Sequence, residues 1–333
     1  MVDTKVQEQV TGQSVLPDTA EIREDELFVN MGPQHPSTHG VLRVMVRLEG
    51  EKVTKAEPDI GYLHRCFEKI AEKRSITQVI PYTDRTDYLA AISCEPALVM
   101  AAERLAGIEV PERAEYIRVI MNELQRIASH LIWFGTFALD LGATTAFLYA
   151  WRERENLLDI FGKLTGARML YNYLRVGGVR NDLYDGFVED VTAFLNDMEK
   201  KLKEYHDLLT GNRIFESRTK GIGILKPEDA IAYGASGPVL RGSGIAHDLR
   251  KASPYSIYDR FEFDIPVGET CDVYARYMVR MEEIPQSIRI IRQALKQLPG
   301  GPYMGDVPRR IKLNGDTYVR IESPRGEVGC YLV

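Results

Sequence analysis

The amino-acid sequence predicts a mainly α-helical protein with small β elements near both termini, an α+β fold. In the middle of the chain, long segments carry apolar residues every three or four positions, which is the period of one helix face. Short apolar segments bounded by glycine or proline turns lie near the two ends, where they predict strands. With 333 residues, of which 44% are hydrophobic, the chain has the size and composition of a globular protein with a real core.

These patterns divide the chain into four segments. Residues 1–25 are polar and acidic without an apolar period, which predicts a flexible N-terminal arm. Residues 26–60 are expected to form a β-hairpin region with a preceding loop, and residues 61–300 a helical core. Residues 301–333 predict a short C-terminal β region. We interpret that region as incomplete, because the sequence stops within an apolar strand.

The loop before the hairpin is rich in proline and glycine and contains two histidines. It reads Gly32-Pro-Gln-His-Pro-Ser-Thr-His-Gly40. Proline fixes φ and removes a backbone donor, so this segment predicts a stiff loop rather than a regular helix. The loop opens onto Val41–Leu48, and this segment and Lys52–Ile60 flank the turn Glu49-Gly50-Glu51. The arrangement predicts a β-hairpin.

The helical core opens with Gly61–Lys69, which we interpret as the start of a helix. Leu89–Leu105 is rich in alanine and predicts a helix, in which Pro96 marks a break or a new first turn. The strongest helical pattern runs from Pro111 to about Phe134, because proline suits a first turn and one apolar stripe follows. That stripe consists of Ile117, Ile120, Leu124, Ile127 and Leu131.

Three more helices and a group of short strands complete the expected elements. The helices are Thr145–Leu164, Phe187–Leu209 and Asp272–Leu298. Pro285 lies inside the last of these and is expected to kink or split it. The predicted strands are Lys312–Leu313, Thr317–Ile321 and Val328–Val333, joined by turns at Asn314-Gly315 and Pro324-Arg-Gly326.

Charge, cysteine usage and hydropathy exclude several classes of protein. The net charge of −6 gives no indication of a nucleic-acid binder. The four cysteines form no Cys-x-x-Cys pair, so neither a zinc site nor a disulfide framework is indicated, and a reducing compartment fits. No signal peptide is visible. The most membrane-like stretch, Leu131–Trp151, is interrupted by two glycines, and we interpret it as buried core, with any membrane association made through a partner.

Asp140 is the one charged residue in that apolar stretch. A buried carboxylate costs free energy unless it is paired or hydrogen-bonded, and a histidine imidazole is a natural partner. Alternatively, Asp140 caps the N-terminus of the helix that follows Leu141-Gly142. The sequence leaves both interpretations open.

His35 and His39 admit three interpretations. A His-x-x-x-His pair is a metal-ligand spacing on a helix, but the prolines forbid a helix here and no cysteine or Glu-x-x-His accompanies it. The second interpretation is a pair of structural histidines that bond the loop backbone, and the third is a donor and proton carrier that faces a ligand. His130, on the predicted stripe helix, is expected to be a satisfied core histidine.

Tyr88 follows the polar segment Asp84-Arg-Thr-Asp87. A tyrosine hydroxyl is protonated at neutral pH and donates a hydrogen bond to a carbonyl, although an ordinary half-buried aromatic residue is the alternative. Together, His39, Tyr88 and Asp140 suit a carbonyl or quinone oxygen that is to be protonated. Spacing alone does not show that the three residues meet.

Seven motifs in register carry a family resemblance. The chain resembles, from about Asp25 to Val333, the 49 kDa (D-type) subunit of respiratory complex I, the NADH:quinone oxidoreductase. The motifs are Gly32-Pro-Gln-His-Pro-Ser-Thr-His-Gly40, Gly61-Tyr-Leu-His-Arg65, Glu123-Leu-Gln-Arg-Ile-Ala-Ser-His-Leu131, Arg152-Glu-Arg-Glu155, Arg175-Val-Gly-Gly-Val179, Ser236-Gly-Pro-Val-Leu-Arg241 and Asp248-Leu-Arg-Lys251.

The resemblance implies a helical core like that of the nickel–iron hydrogenase large subunit. The two Cys-x-x-Cys pairs that hold the hydrogenase metal are absent from this sequence, so no metal site is expected. Quinone is the implied substrate, NAD binds at a distant site in the complex, and quinone reduction is coupled to proton translocation. The implied location is peripheral, on the cytoplasmic side of the cell membrane or on the matrix or stroma side in an organelle.

The resemblance also implies three partners in the complex. One is an iron–sulfur subunit that carries the terminal 4Fe-4S cluster. Arg65 would lie near this cluster, where a positive charge favours the reduced state. The others are the 30 kDa-type (C-type) subunit and the H-type subunit of the membrane arm.

The matching motifs further imply roles for particular residues in quinone binding. His39 and Tyr88 would hydrogen-bond the quinone carbonyls, and Asp140 would pair with His39. His35 and Thr38 would belong to the same quinone-binding loop, with His35 shaping it.

The sequence departs from the family pattern at several positions. Leu170 stands where the family usually has a histidine near the cluster, Cys66 replaces a usual glycine, and Pro285 interrupts a usually continuous helix. The region after Pro302 is shorter than usual, and the last stretch of the family is absent. These departures leave an alternative from another class, a non-catalytic scaffold subunit of the same or a related redox complex. The retention of His39, Tyr88 and Asp140 together favours the catalytic subunit over the scaffold.

Overall fold

The computed structural model describes residues 26–333, so the predicted arm over residues 1–25 lies outside the described part of the chain. The chain divides into two compact units, one that ends at Arg65 and one that runs from Cys66 to Val333. The described residues are mainly helical, with small antiparallel sheets towards both ends, as the sequence predicts.

The first unit contains a three-stranded antiparallel sheet. Its strands are β1 (Glu26–Met31), β2 (Arg43–Glu49) and β3 (Lys52–Asp59), in the order β1-β2-β3. The predicted hairpin is confirmed as β2 and β3, which pair with a bulge between Arg47 and Leu48. Strand β1 was not predicted from the sequence. It pairs along its whole length with β2, and this tertiary partner defines a strand that six residues of weak alternation do not indicate.

The second unit is built from helices. Those before residue 170 are α1 (Phe67–Ala71), α2 (Ile76–Thr83), α3 (Glu95–Ala106), α4 (Glu112–Asp140) and α5 (Thr144–Thr165). Those after it are α6 (Phe187–Tyr205), α7 (Arg213–Thr219), α8 (Pro227–Ala232), α9 (Gly237–Gly242), α10 (Leu249–Ala252) and α11 (Val273–Gln297). A short ladder of β4 (Leu174–Arg175) and β5 (Gly178–Val179) lies between α5 and α6. None of the helices within residues 26–333 is long and apolar enough to cross a membrane.

Helix α4 forms the centre of this unit and packs against both α5 and α11. Every residue of the predicted stripe is fully buried, namely Ile117, Ile120, Leu124, Ile127 and Leu131. The helix begins directly after Pro111, as predicted, but it continues beyond Phe134 to Asp140. In its middle part, the other faces of α4 are also buried and carry charged side chains, so protein surrounds this part of the helix.

The remaining helix predictions have mixed outcomes. The positions of α5, α6 and α11 are confirmed, and Pro96 lies in the first turn of α3. Helix α2 was missed, although the backbone N–H of Ser75 donates to Gln78 Oε1 at 3.2 Å, half of a capping box that the sequence contains. Residues 206–210 continue α6 as a π-helical turn.

The expected split at Pro285 is wrong, because α11 runs as one helix through that residue. A proline inside a helix costs about 3 kcal/mol. Ile284, Ile288 and Ile291 are at most 2% exposed around it, and burial of each such side chain contributes roughly 1.5–3 kcal/mol. Packing on both sides of Pro285 therefore outweighs the lost hydrogen bond.

The C-terminal strands form one hairpin of β6 (Thr317–Ser323) and β7 (Gly326–Leu332). The turn at Pro324-Arg-Gly326 is confirmed. The expected strand at Lys312–Leu313 is wrong, and the Asn314-Gly315 turn therefore joins no two strands. Two residues are too few to maintain a ladder, and β6 pairs with β7 instead.

Gly237, at the start of α9, lies close to the C-terminal hairpin. Its φ is +62°, and a Cβ atom built there would lie 2.4 Å from the Cα of Gly326. Gly234 has a similar φ of +66° with nothing within 4 Å. We expect Gly237→Ala to be less stable than Gly234→Ala by about 1–3 kcal/mol, because only the first adds overpacking to the backbone strain. Thermal unfolding of both variants measures the difference, and equal stability would contradict the close approach.

Candidate functional site

The predicted quinone loop of the first unit is held by hydrogen bonds within itself. Residues Pro36–Thr38 form a single 3-10 turn. The backbone N–H of Ser37 donates to His35 Nδ1 at 3.2 Å, and Thr38 Oγ1 donates to the carbonyl oxygen of His35 at 2.8 Å. His35 is therefore a structural histidine in this loop, since its Nδ1 accepts from the backbone and the proton of the neutral ring is on Nε2.

His39 lies at the end of this turn with an exposed side chain. Its backbone takes a left-handed φ of 47°, and its N–H donates to the carbonyl oxygen of Pro36 at 3.3 Å. At the base of the loop, a Cβ atom on Gly32 would lie 1.9 Å from the carbonyl oxygen of Leu42, so only glycine fits. The backbone thus presents the His39 imidazole from a closely packed loop.

Tyr88 lies in the irregular turn after α2, with 37% of its surface exposed. The neighbouring Asp87 accepts from the backbone N–H of Leu89 at 3.2 Å and forms an ion pair with Arg325 at 3.2 Å. Gln125 of α4 donates to the carbonyl oxygen of Leu89 at 3.0 Å. The backbone on both sides of Tyr88 is therefore anchored to buried structure while the phenol side chain reaches the surface.

Asp140 is the last residue of α4, and its side chain is exposed. Two expectations are wrong here. The following helix begins at Thr144 with Ala143 in the N-cap position, so Asp140 is not its cap. The residue is also not part of a buried stretch, because α4 is buried through Ala138 and then emerges at Leu139, which is 37% exposed. A carboxylate at a helix C-terminus is disfavoured by the helix dipole by about 0.3–1 kcal/mol, so helix stability does not account for its presence.

The other predicted site residues lie at the start of the core. Arg65 is exposed and ends the first unit, and Cys66 begins the second with a left-handed φ of 55°. Leu170 is half-buried and packs against the core. The structure thus gathers His35, Thr38 and His39 on one loop of the first unit, and it places Tyr88 and Asp140 on separate segments of the second. In residues 26–333, no three histidine, cysteine or acidic side chains are grouped so that they would hold a metal ion.

A buried network of charges, which the sequence did not indicate, lies between α4, α11 and the C-terminal hairpin. Glu123 accepts from Arg250 at 3.0 Å and from Arg126 at 3.2 Å. Arg241 forms ion pairs with Glu283 at 2.7 Å and with Glu322 at 2.8 Å. All of these side chains are at most 1% exposed, and the network is completed by Asp248, which pairs with Arg250 at 2.7 Å.

The arginines lower the pKa of three carboxylates of this network, those of Glu123, Asp248 and Glu283, whereas burial raises the pKa of Glu322. Although burial acts to raise it, the charges of Arg126 and Arg250 lower the pKa of Glu123 to about 2. Burial lowers the pKa of His130, so the ring is neutral, and its Nε2 donates to Glu283 at 2.7 Å. The prediction of a satisfied core histidine is confirmed. Most members of the network stand in the quoted motifs, yet apolar periodicity gave no sign that their charges are buried.

The comparisons with known proteins agree with the family motifs. The family model of the respiratory-chain NADH dehydrogenase 49 kDa subunit matches residues 140–313. The second D-type subunit of NADH-quinone oxidoreductase from Symbiobacterium thermophilum is 58% identical, over 93% of this chain and 86% of the relative. The D-type subunits from Geobacillus thermodenitrificans and Bacillus cytotoxicus are 56% and 54% identical, with the same coverage.

These relatives are subunits of an oxidoreductase complex, as their names state. More particularly, the chain belongs to the 49 kDa subunit family of respiratory-chain NADH dehydrogenase, complex I. The resemblance seen in the motifs is confirmed.

Proposed function

We propose that this chain is a core peripheral-arm subunit of a proton-translocating NAD(P)H:quinone oxidoreductase and forms the quinone headgroup pocket. The observation that carries the proposal is the identity of 58%, over 93% of the chain, with a relative named as a D-type subunit of NADH-quinone oxidoreductase. The rigid loop that presents His39 and the anchored turn that presents Tyr88 are consistent with it.

The chemistry is the reduction of a quinone by two electrons and two protons to a quinol. Electrons arrive one at a time from the terminal 4Fe-4S cluster of a partner iron–sulfur subunit. Tyr88 donates its hydroxyl proton to one carbonyl oxygen, and His39 donates a ring proton to the other. Asp140 pairs with His39 and restrains its imidazole, while His35 and Thr38 hold the loop in shape.

The proposal extends to partners and location. The iron–sulfur subunit binds near Arg65, whose exposed positive charge favours the reduced cluster. The 30 kDa-type (C-type) subunit and the H-type subunit of the membrane arm are the other neighbours, and NAD binds at a distant site in the complex. The chain is peripheral on the cytoplasmic side of the membrane, or on the matrix or stroma side in an organelle.

One observation favours a second function, that of a non-catalytic scaffold. Leu170 is an apolar, half-buried residue at a position where a titratable histidine is usual near the cluster. In this alternative the interfaces persist, but the quinone pocket does not turn over.

A pull-down separates the two functions. The tagged full-length chain is recovered from detergent-solubilised membranes, and the eluate is assayed for quinone reductase activity. Recovery of an iron–sulfur subunit with inhibitor-sensitive activity supports the catalytic role. Recovery of the same partners without activity supports the scaffold, and a chain recovered alone contradicts both.

Asp140→Asn is expected to lower quinone reductase turnover about tenfold while assembly is preserved. The substitution removes the carboxylate that would restrain the His39 imidazole, and the exposed position at the end of α4 carries no capping role for α5. Turnover of the isolated complex and the amount of this chain within it are measured together. Asp185→Asn, an exposed aspartate before α6, is the matched control and should leave both unchanged. Unchanged turnover in Asp140→Asn would contradict the assigned role.

A further inference from the structure

Two carboxyl groups are buried together beneath the turn that carries Tyr88. Asp84 follows α2 and Glu95 begins α3, and both residues are 0% exposed. Three successive backbone amides of one segment donate to the pair. The N–H of Asn172 donates to Asp84 Oδ2 at 2.7 Å, that of Tyr173 to Glu95 Oε1 at 3.0 Å, and that of Leu174 to Glu95 Oε2.

One oxygen of this pair lacks a donor. Asp84 Oδ1 is buried and accepts no hydrogen bond from any residue that the structure describes. Because adjacent backbone amides, those of Asn172 and Tyr173, donate to Asp84 and to Glu95, the two carboxyl groups lie side by side. Two carboxylates only accept, so their contact requires a proton between them, and that proton satisfies the orphaned oxygen.

The nearby cations do not replace that proton. The guanidinium of Arg175 donates to the carbonyl oxygens of Asn172 and Leu174, and that of Arg85 to the carbonyl oxygen of Pro81. Both arginines act on the pair only at longer range. The other titratable groups that face it are Asp87 and Cys94 from the same turn and helix, Arg118 from α4, and Tyr171 and Tyr173 from the amide-donating segment.

We propose that Asp84 and Glu95 share one proton as an acid–carboxylate pair, and that this pair is the internal proton reserve of the quinone site. The second part rests on the proposed function. After Tyr88 has given its hydroxyl proton to a quinone oxygen, the pair passes its proton to the tyrosinate. The pair is left with both carboxylates ionised, and it then takes up one proton from solvent.

The electrostatics of the pair suit this task. Burial, and then the charge of Asp84, raise the pKa of Glu95 well above its usual range, and burial also raises the pKa of Asp84. The Cys94 thiol does not compete as an acid at neutral pH, since burial raises its pKa to about 12. A carboxylic acid with a raised pKa holds its proton at neutral pH, where the proton is available for transfer to a tyrosinate.

Infrared difference spectroscopy on the purified complex tests the shared proton. We expect wild type to show the C=O stretching band of a protonated carboxylic acid, shifted in deuterated water, and Glu95→Gln to lack it. Glutamine retains the size and shape of the glutamate side chain, so assembly is expected to survive. If Glu95→Gln fails to assemble, Asp84→Asn is the second variant, because it removes the same shared proton. Glu103→Gln on α3 is the control, because Glu103 forms an ion pair with Arg118 at 2.6 Å instead of a contact with a second carboxyl group. Absence of the band from wild type would contradict the proposal that Asp84 and Glu95 share a proton.

Turnover tests the role of the reserve. Glu95→Gln is expected to slow steady-state quinone reduction about tenfold while the binding of quinone, measured as KM, is unchanged. If a variant has lost the infrared band but keeps wild-type turnover, the pair is not the proton reserve of the quinone site. The infrared band does not depend on quinone chemistry. Failure of the proposed function, seen as normal turnover in Tyr88→Phe, is therefore distinguishable from failure of the pair.

The shared proton also predicts a pH dependence of stability. Because the folded state holds this proton more tightly than the unfolded chain does, the pair's contribution is complete below the ordinary carboxyl pKa and is lost as the pH rises through the raised pKa. We expect the melting temperature of wild type to fall with rising pH in this range and that of Glu95→Gln to fall less. Parallel curves would contradict the proposal.

Discussion

Glu123→Ala is expected to destabilise the protein by roughly 3–5 kcal/mol, because it leaves two buried guanidiniums without their shared carboxylate. Glu123 is 0% exposed and accepts from Arg250 at 3.0 Å and Arg126 at 3.2 Å. It also accepts from the hydroxyls of Tyr258 and Ser287, each at 2.7 Å. Denaturant unfolding followed by circular dichroism measures the loss.

The control for Glu123→Ala is an ion pair at the surface. Glu216→Ala removes a contact of 2.7 Å to Lys220, but both side chains are more than a third exposed, so we expect a change below about 1 kcal/mol. If the two variants lost similar stability, the buried network would not have the importance assigned to it.

The same carboxylate predicts how stability responds to acid. The pKa of Glu123 is about 2 in the folded protein, below its value of 4.5 when unperturbed. A lowered pKa means that its contribution is present above the unfolded pKa and is lost as the pH falls through the folded one. The contribution of Glu123 to stability is therefore complete at neutral pH and decreases between about pH 4 and pH 2.

Tyr88→Phe is expected to lower quinone reductase turnover by about 100-fold without a measurable change in stability. The substitution removes one hydroxyl donor from a side chain that is 37% exposed, while the turn around it is anchored by Asp87 and Gln125. Turnover of the isolated complex is measured beside its melting temperature.

Tyr303→Phe is the matched control for this experiment, because Tyr303 is 36% exposed and has no role in the proposed site. It should leave turnover unchanged. Wild-type turnover in Tyr88→Phe would contradict the proposal that Tyr88 hydrogen-bonds the quinone headgroup. Loss of assembly would show that the Tyr88 hydroxyl has a structural role.

The sequence predicted the helices that depend on local pattern. The stripe of α4 was recognised because its five apolar residues repeat with the helical period, and all five are buried. The hairpin of β2 and β3 was recognised from its turn. Helix α2 and strand β1 were missed, since each is short and is completed by contacts with other elements.

In the candidate site too, local pattern predicted some features, whereas others depend on contacts with distant parts of the chain. His35, Thr38 and His39 were predicted to lie on a stiff loop, because proline restricts the backbone wherever the loop is placed. Asp140 was expected to be buried or to cap α5, and it is neither. Its exposure depends on where α4 leaves the core, which no local pattern reports.

The amino-acid order determined the fold class, the main helices, the stiff histidine loop and the family, since each of these depends on spacing along the chain. Tertiary structure decided which charges are buried and what they contact. Arg250 contacts Glu123, and the amides of Asn172 and Tyr173 contact Asp84 and Glu95, so these contacts join distant parts of the chain. The physical reason is that the free energy of a charge depends on its surroundings in three dimensions, whereas periodicity reports only the direction in which a side chain points.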